Sequence, residues 1–141
     1  MAERVILHAS CVALDGCGAL ILGPSGSGKS ALALALIGLG ASLVADDRTE
    51  LRAGASGLVA AAPAAIRGRI EARGFGLLTA PAVEAERIVL AVDLGRQEGA
   101  RLPDDHMFPL LGQHIPLRYA IPGPHLAPAI LLWLRAARDG G

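Results

Sequence analysis

Between Ala19 and Leu39 the chain runs from an apolar stretch into Gly23-Pro-Ser-Gly-Ser-Gly28-Lys29-Ser30 and then into a series of alanines and leucines. A strand, a glycine-rich turn and a helix follow in that order. The spacing of Gly23, Gly28, Lys29 and Ser30 satisfies G-x-x-x-x-G-K-S/T, the pattern of a phosphate-binding loop. Gly23, Gly26 and Gly28 allow backbone N–H groups to converge on phosphate oxygens, because no Cβ blocks positive φ or close approach. The whole loop (Gly23, Pro24, Ser25, Gly26, Ser27 and Gly28) is therefore assigned to nucleotide binding. Lys29 is expected to reach the β- and γ-phosphates and Ser30 to offer its hydroxyl oxygen to Mg²⁺. The helix from Ala31 to Leu39 turns its positive N-terminus toward the anion. The competing reading, a glycine turn with an incidental Lys-Ser, explains neither flank.

A chain of 141 residues has room for one compact α/β domain spanning residues 1–141. Its 13 basic residues balance its 13 acidic ones, and the bases are almost all arginines scattered singly. Nucleic acid is thus not an expected partner. The longest uncharged stretch, Ala31 to Ala45, is too short for a bilayer and is broken by Gly38, Gly40 and Ser42. With mixed charge at its start and no secretory signal, the chain is expected in the cytoplasm, away from membranes. Cys11 and Cys17 lack CxxC spacing and need no redox or metal role.

Residues 4–14 read as one strand, and Asp15-Gly16 as the turn of a hairpin that pairs it antiparallel with Ala19–Leu22. Such a hairpin brings His8 toward the phosphate loop, although a lone strand histidine is more often structural. The stretch from Ala41 to Ala45 predicts a buried strand ending in Asp46 and Asp47, where a carboxylate can hold Mg²⁺ or act as a base. Both can serve the site only if the strand ends there, since neighbouring strand residues face opposite ways. Asp93, at the end of Ile88-Val-Leu-Ala-Val92, competes for the same role. Residues 49–61 read as a second hairpin, with Pro63 closing it. Residues 66–78 gather Arg67, Arg69, Arg73, Glu71 and three glycines, a set that suits either charge stabilisation of phosphates or a solvated loop. Residues 94–106 are polar and turn-rich, residues 115–121 predict a short strand, and residues 126–138 predict a helix. Leu126, Ile130, Trp133, Leu134 and Ala137 fall on one face of that helix.

With these pieces placed, the chain resembles the catalytic domain of bacterial HPr kinase/phosphorylase. The resemblance rests on His8 ahead of the loop, the loop itself, Leu43-Val-Ala-Asp46-Asp47, and Glu71-Ala-Arg73-Gly-Phe-Gly-Leu-Leu78. It implies an α/β P-loop fold with a mixed sheet, an antiparallel N-terminal hairpin and flanking helices, of the HPr kinase/phosphoenolpyruvate carboxykinase kind. It implies an ATP- and Mg²⁺-dependent serine kinase, with phosphorylase activity in reverse, acting on an HPr-like phosphocarrier of a bacterial phosphotransferase system. Asp47 would be the proton acceptor, with His8, Lys29 and Arg101 catalytic. Ser30 and Glu71 would hold the metal, with Asp46 added from its place at the end of the strand, and Arg73 would join the nucleotide site. A homo-oligomer is expected, as is a short form without the family's N-terminal domain. Ala31 stands where the family commonly has Glu, and Pro122-Gly-Pro-His-Leu126 replaces Pro-Gly-Arg-Asn-Leu. A small-molecule P-loop kinase or ATPase, and a nucleotide-sensing module without turnover, are the alternatives.

Overall fold

In the computed structural model, residues 3–140 are described. The centre is β9 (Ala85–Asp93), a long strand whose neighbours change along its length. On one edge it pairs parallel with β3 (Cys17–Leu22) from Gly18↔Ile88 to Leu22↔Asp93. On the other edge its first residues pair antiparallel with β6 (Gly57–Ala61), and its last pair parallel with β11 (Gln113–Tyr119). One edge shared by two partners curls the sheet. β2 (Ser10–Leu14) and β4 (Ser42–Ala45) extend the sheet beyond β3, and β5 (Thr49–Gly54) and β1 (Arg4–Leu7) beyond β6.

The curl gives the sheet two buried faces. Val12, Ala19, Ile21, Leu90 and Val92 face α1 (Lys29–Gly38) and α2 (Leu126–Gly140). Cys11, Ala13, Leu20, Ala91, Leu58 and Leu117 point to the inside of the curl. Burial on both faces is why β2 and β3 read as continuous apolar runs rather than alternating ones. The predicted face of α2 docks, widened by Ala127 and Leu131, and the predicted helix after the loop begins two residues earlier than expected. The Asp15-Gly16 turn forms with both residues at positive φ (50° and 85°), the geometry that matches strand twist in a two-residue hairpin.

Three expectations are corrected. Residues 4–14 are not one strand, because the chain breaks at His8-Ala9. The Ala9 N–H donates to Asp47 O (3.0 Å) and its carbonyl accepts from Thr49 Oγ1 (2.8 Å). β1 therefore goes to β5, while β2 keeps the hairpin with β3 and also pairs with β4. Residues 66–78 do not form a loop throughout: β7 (Arg69–Ala72) and β8 (Gly76–Thr79) form a separate two-stranded hairpin. Finally, β10 (His106–Leu110) pairs antiparallel with β11 across a Leu111-Gly112 turn. The sequence predicts a strand at residues 115–121 and none at 106–110; Pro109 and Pro116 are both tolerated in this outlying hairpin. No helix among the described residues is long and apolar enough to cross a membrane.

Candidate active site

The loop predicted to bind phosphate leaves the end of β3 and wraps into α1. Gly23 sits at φ 146°, and a Cβ there would fall 2.5 Å from Ser27 Oγ, so only glycine lets the loop close on itself. Gly28 sits at φ 101°, with Pro122 packed so close that a Cβ would meet its Cγ at 3.2 Å. α1 has no capping side-chain bond and no acidic residue in its first turn, and its first helical hydrogen bond runs from Leu32 N–H to Gly28 O. The preceding amides are the orphan donors of a helix N-terminus, a set suited to an anion. Ser27 Oγ is a buried hydroxyl with no hydrogen-bond partner among the described residues. Lys29, the chain's only lysine, is 6% exposed, and its Nζ donates to Gly23 O (2.8 Å) and Pro24 O (3.0 Å). An ammonium has three donors, so one remains for a phosphate oxygen.

At the end of β4 the two neighbouring aspartates part company. Asp46 is buried. Its Oδ1 accepts from Ser30 Oγ (2.6 Å) and Ser10 Oγ (2.9 Å), and its Oδ2 accepts from the Glu71 N–H (3.0 Å). One carboxylate thus ties α1, β2 and β7 together. Because Ser30 spends its hydroxyl hydrogen on Asp46, the oxygen's lone pairs are left for a cation. Oxygen donors of this kind fit a magnesium ion, which Ser30 and Asp46 would hold. Glu71 enters the network by its backbone, its side chain being exposed.

Asp47 faces the other way. It lies at φ 67°, and the Arg48 N–H reaches back to Asp46 O (2.7 Å), so the strand ends in a tight three-residue turn. The Asp47 N–H donates to Ser10 Oγ (3.2 Å), and its Oδ1 lies 2.7 Å from His8 Nε2. Both side chains are well exposed, at 49% for His8 and 65% for Asp47. Ser10 was missed from sequence. Its signal was a hydroxyl inside an apolar strand, two residues after His8.

The remaining candidates stand outside these hydrogen bonds. Arg73 is exposed at the turn between β7 and β8, and Arg101 is exposed in the segment after β9, where it lines a cavity against α2. Asp93 Oδ1 accepts the Gly95 N–H (2.8 Å), which turns the chain away from β9. Asp93 is thereby committed to its own turn, and it is Asp46 that reaches the loop's serine. Burial pushes the Cys11 thiol well above its usual range, keeping it protonated.

Residues 1–96 match the family model described as the HPr Serine kinase C-terminal domain. The chain belongs to that family. Among similar proteins of this HPr serine kinase family, the HPr kinase/phosphorylase of Caldanaerobacter subterraneus is 42% identical over 98 residues, 67% of this chain and 32% of the relative. That of Cupriavidus necator is 37% identical over 118 residues, 76% of this chain and 36% of the relative. The chain thus spans about a third of the length of the curated relatives it matches. The solved Hpr(Ser) kinase/phosphatase of Coxiella burnetii superposes with a TM-score of 0.81 at 30% identity, covering 96% of this chain and 92% of that one. The match places the mixed α/β fold with its curled sheet within the HPr serine kinase family. Lys29, Ser30, Asp46, Asp47 and His8 all lie inside the part that matches the family model.

Proposed function

We propose that this chain, as one domain, is an ATP- and Mg²⁺-dependent kinase of a serine on an HPr-like phosphocarrier. The observation that carries the reading is the divergence of Asp46 and Asp47. One carboxylate holds the phosphate loop's serine, and the next is presented beside His8 at the surface, where a protein substrate can reach it. Family membership and the names of the relatives support the same reading.

In this reading the free N–H groups at the start of α1 and the Lys29 ammonium bind the β- and γ-phosphates and bear the charge that develops during transfer. Magnesium, when bound, neutralises phosphate oxygens. Ser30 would hold it, and Asp46 would fix Ser30, with Glu71 steadying Asp46 through its N–H. Asp47 orients the substrate serine and accepts its proton as the serine oxygen bonds to the γ-phosphorus and the bond to the β-phosphate oxygen breaks. An aspartate is a weak base, so positioning is its larger duty. His8, within hydrogen-bond reach, sets the carboxylate's orientation. Arg73 and Arg101, exposed on segments beyond the loop, would add charge toward the bound phosphates.

Intact-mass analysis of an HPr-like phosphocarrier after incubation with the protein, Mg²⁺ and ATP tests the proposal, with Lys29→Ala as control. One added phosphate, mapped to serine and absent with the variant, is the expected result. Loss of that phosphate on adding inorganic phosphate would extend it to the phosphorylase direction. No added mass despite tight ATP binding would overturn it.

A further inference from the structure

We propose that the cavity between α2 and the segment after β9 is the pocket for the purine base of the nucleotide whose phosphates bind residues 23–30; this rests on the reading of that loop given above. The cavity has a volume of about 390 Å³, enough for a base and its ribose. It is bounded below by Val92 and by Leu126 and Ile130 of α2. In a chain with only one tryptophan and one tyrosine, Trp133 and Tyr119 both line it. Each ring carries a guanidinium on its face, Arg118 at 4.9 Å from Trp133 and Arg96 at 4.4 Å from Tyr119. Flat rings and flat cations over an aliphatic floor form a surface on which a base stacks, whatever its edge.

The position follows from how the two walls begin. One wall, reaching Glu98 and Ala100, starts at Gly95, packed so closely on Pro24 that a Cβ would meet it at 3.0 Å. The other, reaching His125, starts at Pro122, packed on Gly28. Both walls therefore start against the phosphate loop, within a few residues of the cavity lining, which is the side on which a nucleotide anchored there would extend its base. Most of the lining lies after residue 96, outside the part that matches the family model.

Calorimetric titration with ATP and with inorganic tripolyphosphate, both with Mg²⁺, tests this. Trp133 fluorescence is followed in parallel. ATP is expected to bind about tenfold tighter or more, the scale of one base stacked on an aromatic ring, and it alone shifts the Trp133 emission. Ala129→Phe, which adds a ring at an exposed lining position of α2, should bring ATP down to the tripolyphosphate affinity and leave tripolyphosphate unchanged. Equal affinity for the two ligands in the wild type, with silent fluorescence, would overturn the base pocket and leave the phosphate loop standing. Unchanged ATP binding by a folded Ala129→Phe would do the same. Failure of both ligands to bind the wild type would overturn both readings. Should the variant misfold, the wild-type comparison still decides.

Discussion

His8 Nε2 and Asp47 Oδ1 lie 2.7 Å apart because two strand pairs bend at one place. β1 pairs with β5 up to Leu7↔Thr49, and β2 pairs with β4 from Cys11↔Ala45. Between them the Ala9 N–H bonds to Asp47 O, so the pairing register carries through the bend. The bend turns both side chains out of the sheet. It is held by Thr49 Oγ1 on Ala9 O and by Ser10 Oγ on the Asp47 N–H. A positive φ at a non-glycine residue is the kind of local strain that surrounding structure must over-determine, and it clusters at functional sites.

From this geometry, Asp47→Asn should reduce transfer to the phosphocarrier by about 10²- to 10⁴-fold, the range for loss of a positioned general base. ATP affinity should stay within about twofold, since Asp47 makes no bond to residues 23–30 in the proposed arrangement. His8→Ala should cost less, roughly 10- to 100-fold, as misplacement of a reacting group does. Single-turnover transfer and equilibrium ATP binding separate the two effects. A parallel fall in binding would remove Asp47 from the chemical step.

Lys29 is expected to behave differently. Lys29→Ala should abolish transfer and weaken ATP binding together, because the ammonium contributes to phosphate binding itself. Since the chain has no other lysine, an amine-directed reagent should modify Lys29 and the N-terminal amine alone. ATP with Mg²⁺ should protect Lys29 and leave the N-terminus reactive, as read by peptide mass mapping. Equal labelling of Lys29 with and without ATP would separate it from the phosphates.

Asp46 carries a stability prediction as well as a functional one. Asp46→Ala strips the acceptor from Ser10 Oγ, Ser30 Oγ and the Glu71 N–H, leaving donors from three elements without it. A buried donor left unsatisfied costs about 1–3 kcal/mol, so a loss of roughly 3 kcal/mol is expected after partial relaxation. Ser10→Ala, which removes one of the three donors to Asp46 and the acceptor of the Asp47 N–H, should cost less, about 1–2 kcal/mol. Urea unfolding midpoints check both. An Asp46→Ala cost below that of Ser10→Ala would mean that the carboxylate does not join the three elements.

Much of this site was legible because its chemistry is local in sequence. Residues 23–30 carry their own turn, and Asp46-Asp47 follow an apolar strand directly. The bend at His8-Ala9 was not legible. Val5, Ile6 and Leu7 suit the strand they form as well as the strand predicted, and what breaks it is a bond to Asp47, distant in the chain. Ser10 escaped notice for a related reason: a hydroxyl in an apolar run gains meaning only once the carboxylate and amide it joins are in place. The arginines after Ile66 spoke for a loop by composition. Cross-strand pairing from Arg69↔Thr79 to Ala72↔Gly76 overrode that signal. The second core face inside the curl was likewise hidden, since apolar residues on both sides of β2 and β3 state that both faces are covered without saying by what.

The segment after β9 offers a pH-dependent test. Glu98 Oε1 accepts the Ala100 N–H (3.1 Å), and its Oε2 lies 3.0 Å from His106 Nε2. The Ala100 N–H is the largest cause holding its carboxyl below the usual glutamate range; burial opposes it, and His106 adds to the lowering. A carboxyl whose pKa is lower folded than unfolded stabilises the fold above its unfolded value, about 4.3 for glutamate. That contribution is lost as pH falls through the lower, folded value. Glu98→Gln keeps an acceptor for Ala100 but removes the charge. The wild type should therefore melt above the variant at about pH 5 and above, and the margin should close as pH falls below the ordinary glutamate range. Thermal unfolding followed by circular dichroism at a series of pH values reads this directly. A margin that persists unchanged into strong acid would show that the Glu98 charge contributes nothing to holding the segment.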